Sequence, residues 1–330
     1  MKTTIVKLIG LTLIIAAMMM FLNRPSVFAS TDCTFTINGN TMVLNGDCIT
    51  DESILVSDGF TLDGNGYTIT AVDPPAGHFT GAVITNVGTT ASIKNVTVTT
   101  SGLSNVCDAG NNRLRGIMLE GASGTISHNT VIGINQGASG CQEGNAIEVR
   151  NAPFDGTHPN TMVVDVTHNN VVAYQKTGIV ANGDVAVTIE HNAISASATQ
   201  ENLAANSVQL GYGALGSVTH NNIEGNQWMG TSDWAATAVL VYAAGEVEVS
   251  NNNIRGNSDI GLYIYADNGI YNNNRIFDEG ADHPNSSYDY GLGNWGTNNI
   301  VTNNKVRGFD VPYDGDVDGN NKAIPGGPID

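Results

Sequence analysis

One short phrase recurs along this chain, and its recurrence limits what the chain can fold into. It reads ISHNTVIGI at residues 126–134, VTHNNVVAY at 166–174, IEHNAISAS at 189–197 and VTHNNIEGN at 218–226. The Asn continues after the His stops, as SNNNI at 250–254, YNNNRI at 271–276 and TNNKV at 302–306. A second phrase precedes each of these: GIMLEG at 116–121, AIEVRN at 146–151, GIVANG at 178–183, SVQLGY at 207–212, AVLVYA at 238–243 and GLYIYA at 261–266. Each begins with a small residue and then alternates apolar positions. Period-two alternation excludes helices over nearly the whole chain. Units of roughly 20–30 residues made of short strands and Gly/Asn turns are the mark of a β-solenoid. A β-sandwich also has short strands, but gives no reason for Asn to return at one strand end.

In a solenoid, like corners stack at the ~4.8 Å strand spacing. Asn tolerates a left-handed corner, and its amide both donates and accepts. Asn129, Asn169, Asn192, Asn221, Asn252, Asn274 and Asn304 therefore read as a corner ladder, spaced by 22 to 40 residues. The variable spacing places insertions at other corners, the largest around residues 151–160. The first turn of the solenoid is FTLDGNGYTIT at 60–70. With these phrases the chain resembles the right-handed parallel β-helix proteins of the pectate-lyase-like superfamily. The resemblance covers about residues 33–307 and implies an all-β, single-stranded right-handed parallel β-helix of about ten coils. It implies no single activity, because lyases, hydrolases, epimerases, adhesins and accessory proteins share the architecture.

The first 29 residues read as a secretory signal. Lys2 and Lys7 precede an uncharged apolar run at 8–22, and Val27-Phe28-Ala29 ends in the manner of a cleavage site. The run is short against the ~20 residues of a spanning helix. An exported, secreted or periplasmic chain starting at Ser30 is expected. Residues 30–59 would form an amino-terminal cap, 60–307 the β-helix and 308–330 an irregular acidic tail. Losing Lys2, Lys7 and Arg24 takes the formal charge from −18 to −21. That excludes nucleic acid as a partner, since phosphate binding needs clustered Lys and Arg. No membrane span is expected, and the chain is read as a monomer. Export favours disulfides. Four cysteines allow three pairings, and the local one is expected: Cys33–Cys48, which staples the cap, and Cys107–Cys141.

Alternation sorts the outward residues into two columns. One is Met118, Glu148, Val180, Gln209, Leu240 and Tyr263. The other is Glu120, Arg150, Asn182, Gly211, Tyr242 and Tyr265. The strip has carboxylates and Arg at one end and tyrosines at the other. Planar hydrogen-bonding groups with aromatic faces suit sugars. Glu120, Glu148 and Arg150 are the candidate catalytic group, with Arg150 holding a substrate carboxylate and the acids moving protons. A uronate lyase or epimerase needs those parts, and paired carboxylates would serve a glycoside hydrolase. Asn182, Gln209, Tyr242, Tyr263 and Tyr265 are candidate substrate contacts. Glu143 and, in the large insertion, Asp155 and His158 would overhang them, while Trp228 and Trp234 could stack on a ring.

Two further features carry metal readings. His128, His168, His191 and His220 share one repeat position next to the Asn corner and read first as a stacked corner column; the metal reading comes from the resemblance, which includes periplasmic β-helix proteins linked to copper handling. DGDVDGN at 314–320 opens like a calcium loop, with Asp314, Asp316 and Asp318 as Ca²⁺ ligands, although Pro325 stands where the final Glu belongs. The pectin-hydrolase phrases N-T-D, G-D-D, G-H-G and R-I-K are missing, as is the D-P-H of alginate epimerases. Three functions follow: engagement of a polysaccharide or cell-surface glycan, with lyase or epimerase chemistry on acidic glycans; a non-enzymatic structural or adhesin module; and a metal-handling accessory protein.

Overall fold

A computed structural model describes residues 31–152, 154, 162–198, 203–230, 234–280, 287–317 and 319–325. The expected signal segment lies outside them. Three sheets of 11, 10 and 11 strands run the length of the molecule. From Thr41–Leu44 to Val311–Gly315 successive strands of the chain go to successive sheets, so each coil adds one strand to each. The strand pairs are parallel except at the start, where Phe35–Asn38 folds back antiparallel on Thr41–Leu44. This is a single parallel β-helix.

Its interior is a stack of aliphatic columns. In the ten-stranded sheet Ile84, Ile117, Ile147, Ile179, Val208, Val239, Leu262 and Leu292 lie in register, each wholly buried. Each such side chain contributes about 1.5–3 kcal/mol on leaving water. The repeat therefore sets both the register and most of the driving force.

The corner after the first sheet holds the ladder. The side-chain amide of Asn129 donates to Asn169 Oδ1, Asn169 to Asn192, Asn192 to Asn221, Asn221 to Asn252, Asn252 to Asn274 and Asn274 to Asn304, at 3.0–3.1 Å. Asn304 then donates to Asn321 at 3.0 Å, one coil beyond the sequence expectation. Each Oδ1 also accepts the backbone N–H of the Asn in the preceding coil, as Asn192 Oδ1 does from Asn169 at 2.9 Å. The ladder residues themselves do not adopt the left-handed backbone expected of them. That conformation belongs to the residue just before: His128, His168, His191, His220, Asn251, Asn273 and Asn303, with φ of 56–59°. His and Asn are among the non-glycine residues that accept this region most readily. The recurrent His-Asn is thus a pair with divided labour, one residue turning the chain and the next satisfying the turn.

The solenoid starts earlier and ends later than residues 60–307. Thr41–Leu44, Cys48–Thr50 and Ile54–Val56 already belong to the three sheets. The cap proper is the hairpin strand Phe35–Asn38, stapled by the Cys33–Cys48 disulfide. At the other end Val311–Gly315 pairs with Tyr290–Asn294, and Lys322–Ala323 with Lys305–Arg307. Within the stretch expected to be an irregular tail, the described residues thus add one strand to each of two sheets.

Candidate functional site

The outward face of the ten-stranded sheet carries the site. Met118, Glu148, Val180, Gln209, Leu240 and Tyr263 form one column in register, and Glu120, Arg150, Asn182, Gly211, Tyr242 and Tyr265 the next. A third column, missed by alternation, runs Arg115, Asn145, Thr177, Asn206 and Thr237. Strict period two from Ile117 would put Arg115 inside. The small residue that follows it breaks the alternation. A Cβ on Gly116 would meet Val131 Cγ1 at 2.7 Å, and one on Gly178 would meet Ile194 Cγ2 at 2.8 Å. These positions face the core, so two successive residues point inward and the one before them is turned out.

Charge gathers at the amino end of this face. Glu148 is buried and accepts from Arg115 Nε and, at 2.9 Å, from Asn145 Nδ2. Arg150 Nη1 lies 3.6 Å from the other oxygen of Glu148, and Arg150 Nε lies 3.1 Å from Glu120 Oε2. Arg150 also donates to Asn111 Oδ1 at 3.3 Å and covers the Phe154 ring at 4.9 Å. Arg115 donates to the carbonyls of Arg113 and Gly110 at 2.7 and 3.1 Å. Glu148 is therefore locked between two guanidiniums. Lys176 sits beside them, donating to the Ala204 carbonyl. Burial pushes its ammonium down to about 8, and the neighbouring Arg113 adds to the effect. Arg113, Arg115, Arg150 and Lys176 line one groove of about 520 Å³ together with Asn182, Gln209 and Tyr242. They are four of the ten Lys and Arg residues beyond residue 29. A strongly acidic chain has placed much of its positive charge in one hollow.

Aromatic rings continue the groove toward the carboxy end. Tyr242 and Tyr265 stack at 5.4 Å and 18°, with Tyr212 edge-on to Tyr242 at 5.8 Å. Trp295 packs on Tyr263 at 4.8 Å and directs its indole N–H to Asp314 Oδ2 at 2.9 Å. Gly293 succeeds Tyr263 in its column, and a Cβ there would strike the indole at 2.2 Å, so only glycine leaves the ring its place. Burial, with Tyr242, Tyr265 and Tyr288 nearby, raises the Tyr263 phenol above its ordinary value. A second hollow of about 530 Å³ lies between Tyr265, Trp295, Glu246 and Asp267. The face runs over seven strands, from Arg115–Glu120 to Tyr290–Asn294, a span of ~29 Å at the usual strand spacing.

Other expected site residues lie elsewhere. Glu143 is buried and accepts the backbone N–H groups of Leu114, at 2.8 Å, and Asp108, so it braces the 107–114 loop instead of facing a ligand. The Cys107–Cys141 disulfide holds the same loop from its other end. Asp155, His158 and Asp318 lie outside the described residues. Trp228 is packed down and buried, while Trp234 is exposed. Asp314 belongs to the strand Val311–Gly315 and accepts from Trp295 at the aromatic end of the groove; Asp316 follows that strand, exposed. Tyr212, Trp295, Lys176 and Arg113 were not read from sequence, because they stand just outside the strands or in loops.

A family model of the right-handed β-helix region matches residues 157–322. Comparison with curated proteins finds no match to the chain. Both disulfides are compatible with an extracellular or periplasmic location, and no helix of the described residues is long and apolar enough to cross a membrane. With that match, the unbroken parallel stacking and the three sheets, the chain belongs to the right-handed β-helix family.

Proposed function

We propose that this is an exported protein that engages acidic glycans along the ten-stranded face. Uronate carboxylates would sit against Arg113 and Arg150, and sugar rings would lie on Tyr242, Tyr265 and Trp295. The observation that carries this reading is the basic cluster itself. A chain of formal charge −18 repels polyanions everywhere except where cations are concentrated. Guanidinium groups suit carboxylates by paired hydrogen bonds, and exposed Tyr faces suit the apolar side of a sugar.

The same parts fit β-elimination from a uronate. Arg150 neutralises the carboxylate, and a base takes the proton on C5. The C4–O bond then breaks, a C4=C5 double bond forms and the leaving oxygen takes up a proton. Lys176 is the group best suited as base, since burial has already weakened its hold on a proton. Glu148, clamped by Arg115 and Arg150, orients them. Glu120, partly exposed beside Arg150, would return a proton to the leaving oxygen.

A panel of immobilised and soluble polyuronates, with and without Ca²⁺, tests this. Retention that weakens with salt and is lost in Arg150→Ala supports the groove. Ultraviolet absorbance from unsaturated product, lost in Lys176→Met, supports elimination. Retention without product leaves a glycan-binding module, the non-enzymatic reading. Absence of retention on every polyuronate overturns the proposal.

A further inference from the structure

The corner that carries the histidines holds a second candidate site, on different strands from the groove and independent of the glycan reading. Among the described residues, two groups of three potential ligands lie within reach of a single ion. Asp32, Cys33 and Cys48 form one, but both of its sulfurs are spent in a disulfide. The other is Glu190, His191 and His220.

Glu190 stands out among the coils that carry the histidines. Nearer its start the same column holds Asp63 and Lys94, which pair with each other at 3.1 Å. From there on the residues stacked with Glu190 at the strand end are Ser127, Thr167, Thr219, Ser250, Asn272 and Thr302, all uncharged. Glu190 is thus the carboxylate of this column that has imidazoles beside it in place of a lysine. Its Oε1 lies 3.5 Å from His191 Nε2 and 3.4 Å from His220 Nδ1. All three ligand atoms fall within 4.8 Å of one another. Bonds of ~2.0–2.1 Å to a tetrahedral ion put neighbouring ligand atoms ~3.3 Å apart, close to both Glu–His separations.

The imidazoles respond in step. His128 and His168 stack at 1°. The rings around Glu190 are tilted instead, by 37° between His168 and His191 and by 32° between His191 and His220. The left-handed backbone at His191 and His220 fixes where each ring leaves the corner.

We propose that Glu190, His191 and His220 bind a divalent cation of the zinc class. Two imidazole nitrogens and a carboxylate oxygen form three corners of a tetrahedron, and solvent completes it. The side chains are 35–50% exposed, so the ion enters directly from water.

The chain supplies its own conservative variants. Glu190→Thr restores what Thr167 and Thr219 have in the same column. His191→Asn and His220→Asn use the residue that already turns this corner at Asn251, Asn273 and Asn303. His128→Asn, at the far end of the His column, is the control. Untagged protein is titrated with ZnCl₂ by calorimetry, and with Co(II) while its visible absorption is followed. The expected result is one ion per chain, weakened at least tenfold in Glu190→Thr and His220→Asn and unchanged in His128→Asn. No saturable binding, binding that survives Glu190→Thr and His220→Asn, or an equal loss in His128→Asn overturns the proposal.

Discussion

Lys176 shows how a single residue is made useful at a cost. Its ammonium is desolvated in the groove wall, so the folded chain holds that proton less tightly than the unfolded chain does, where the value is 10.5. The native state is penalised at every pH below about 8, and the penalty fades as pH rises from about 8 toward 10.5. Lys176→Met is therefore expected to raise the urea midpoint at about pH 7, with most of the gain gone at about pH 10, while unsaturated product is lost and retention is kept. An equal gain at both pH values would contradict the assignment. Asn192 shows the opposite case. It accepts two hydrogen bonds from Asn169 and donates to Asn221 and to the Val166 carbonyl. A buried donor left alone costs ~1–3 kcal/mol, and Asn192→Ala strands two of them. A loss of ~3 kcal/mol in urea unfolding is expected, against less than ~0.5 kcal/mol for exposed Asn222→Ala one position past the ladder. The ladder was legible in sequence because amides that repeat in register must meet. The His preceding it was legible as a stacked column beside the corner but not as the residue that turns the chain, since both His and Asn tolerate that backbone and only the folded chain shows which one bears it.

At the scale of elements, the groove depends on a loop more than on the strands beneath it. The 107–114 segment carries Asn111, which bonds Arg150, and the Gly110 and Arg113 carbonyls, which bond Arg115. It is held from below by Glu143 and from one end by Cys107–Cys141, whose sequence separation is 34. Removing a native disulfide typically costs ~2–5 kcal/mol. Replacing both cysteines by serine is expected to cost an amount at the low end of that range, because the coils remain. Polyuronate retention should fall disproportionately, as measured on the same protein by affinity chromatography. The strands themselves were readable: alternation assigned Glu148 and Arg150 to the outside and Ile147 and Val149 to the core. Arg115 escaped because Gly116 and Ile117 both turn inward, a local break that alternation cannot show. Glu143 was misplaced because a loop acid looks the same in sequence whether it faces a ligand or caps backbone N–H groups.

Over the whole molecule, stacking leaves two sheet ends that need protection from edge-to-edge pairing. At one end the hairpin strand Phe35–Asn38 covers the edge of one eleven-stranded sheet, and at the other Val311–Gly315 and Lys322–Ala323 are the last strands of the remaining two sheets. Truncation after Arg307 uncovers Tyr290–Asn294 and Lys305–Arg307 and removes Asn321 from the ladder. Concentration-dependent association in light scattering is expected of that variant and not of the full chain. The sequence by itself determined the coil: a period of short strands, a corner Asn in every turn and an aliphatic interior force like residues to pile up rung over rung. It also determined that Glu148, Arg150, Tyr242 and Tyr265 would share one face, because they occupy equal places in the repeat. Only the tertiary structure decided that Arg113, Lys176, Tyr212 and Trp295 join them, and that Glu190 reaches the His220 of the next coil. Periodicity fixes what stands above what, whereas the direction of a loop or turn side chain depends on packing against neighbours some thirty residues away in sequence.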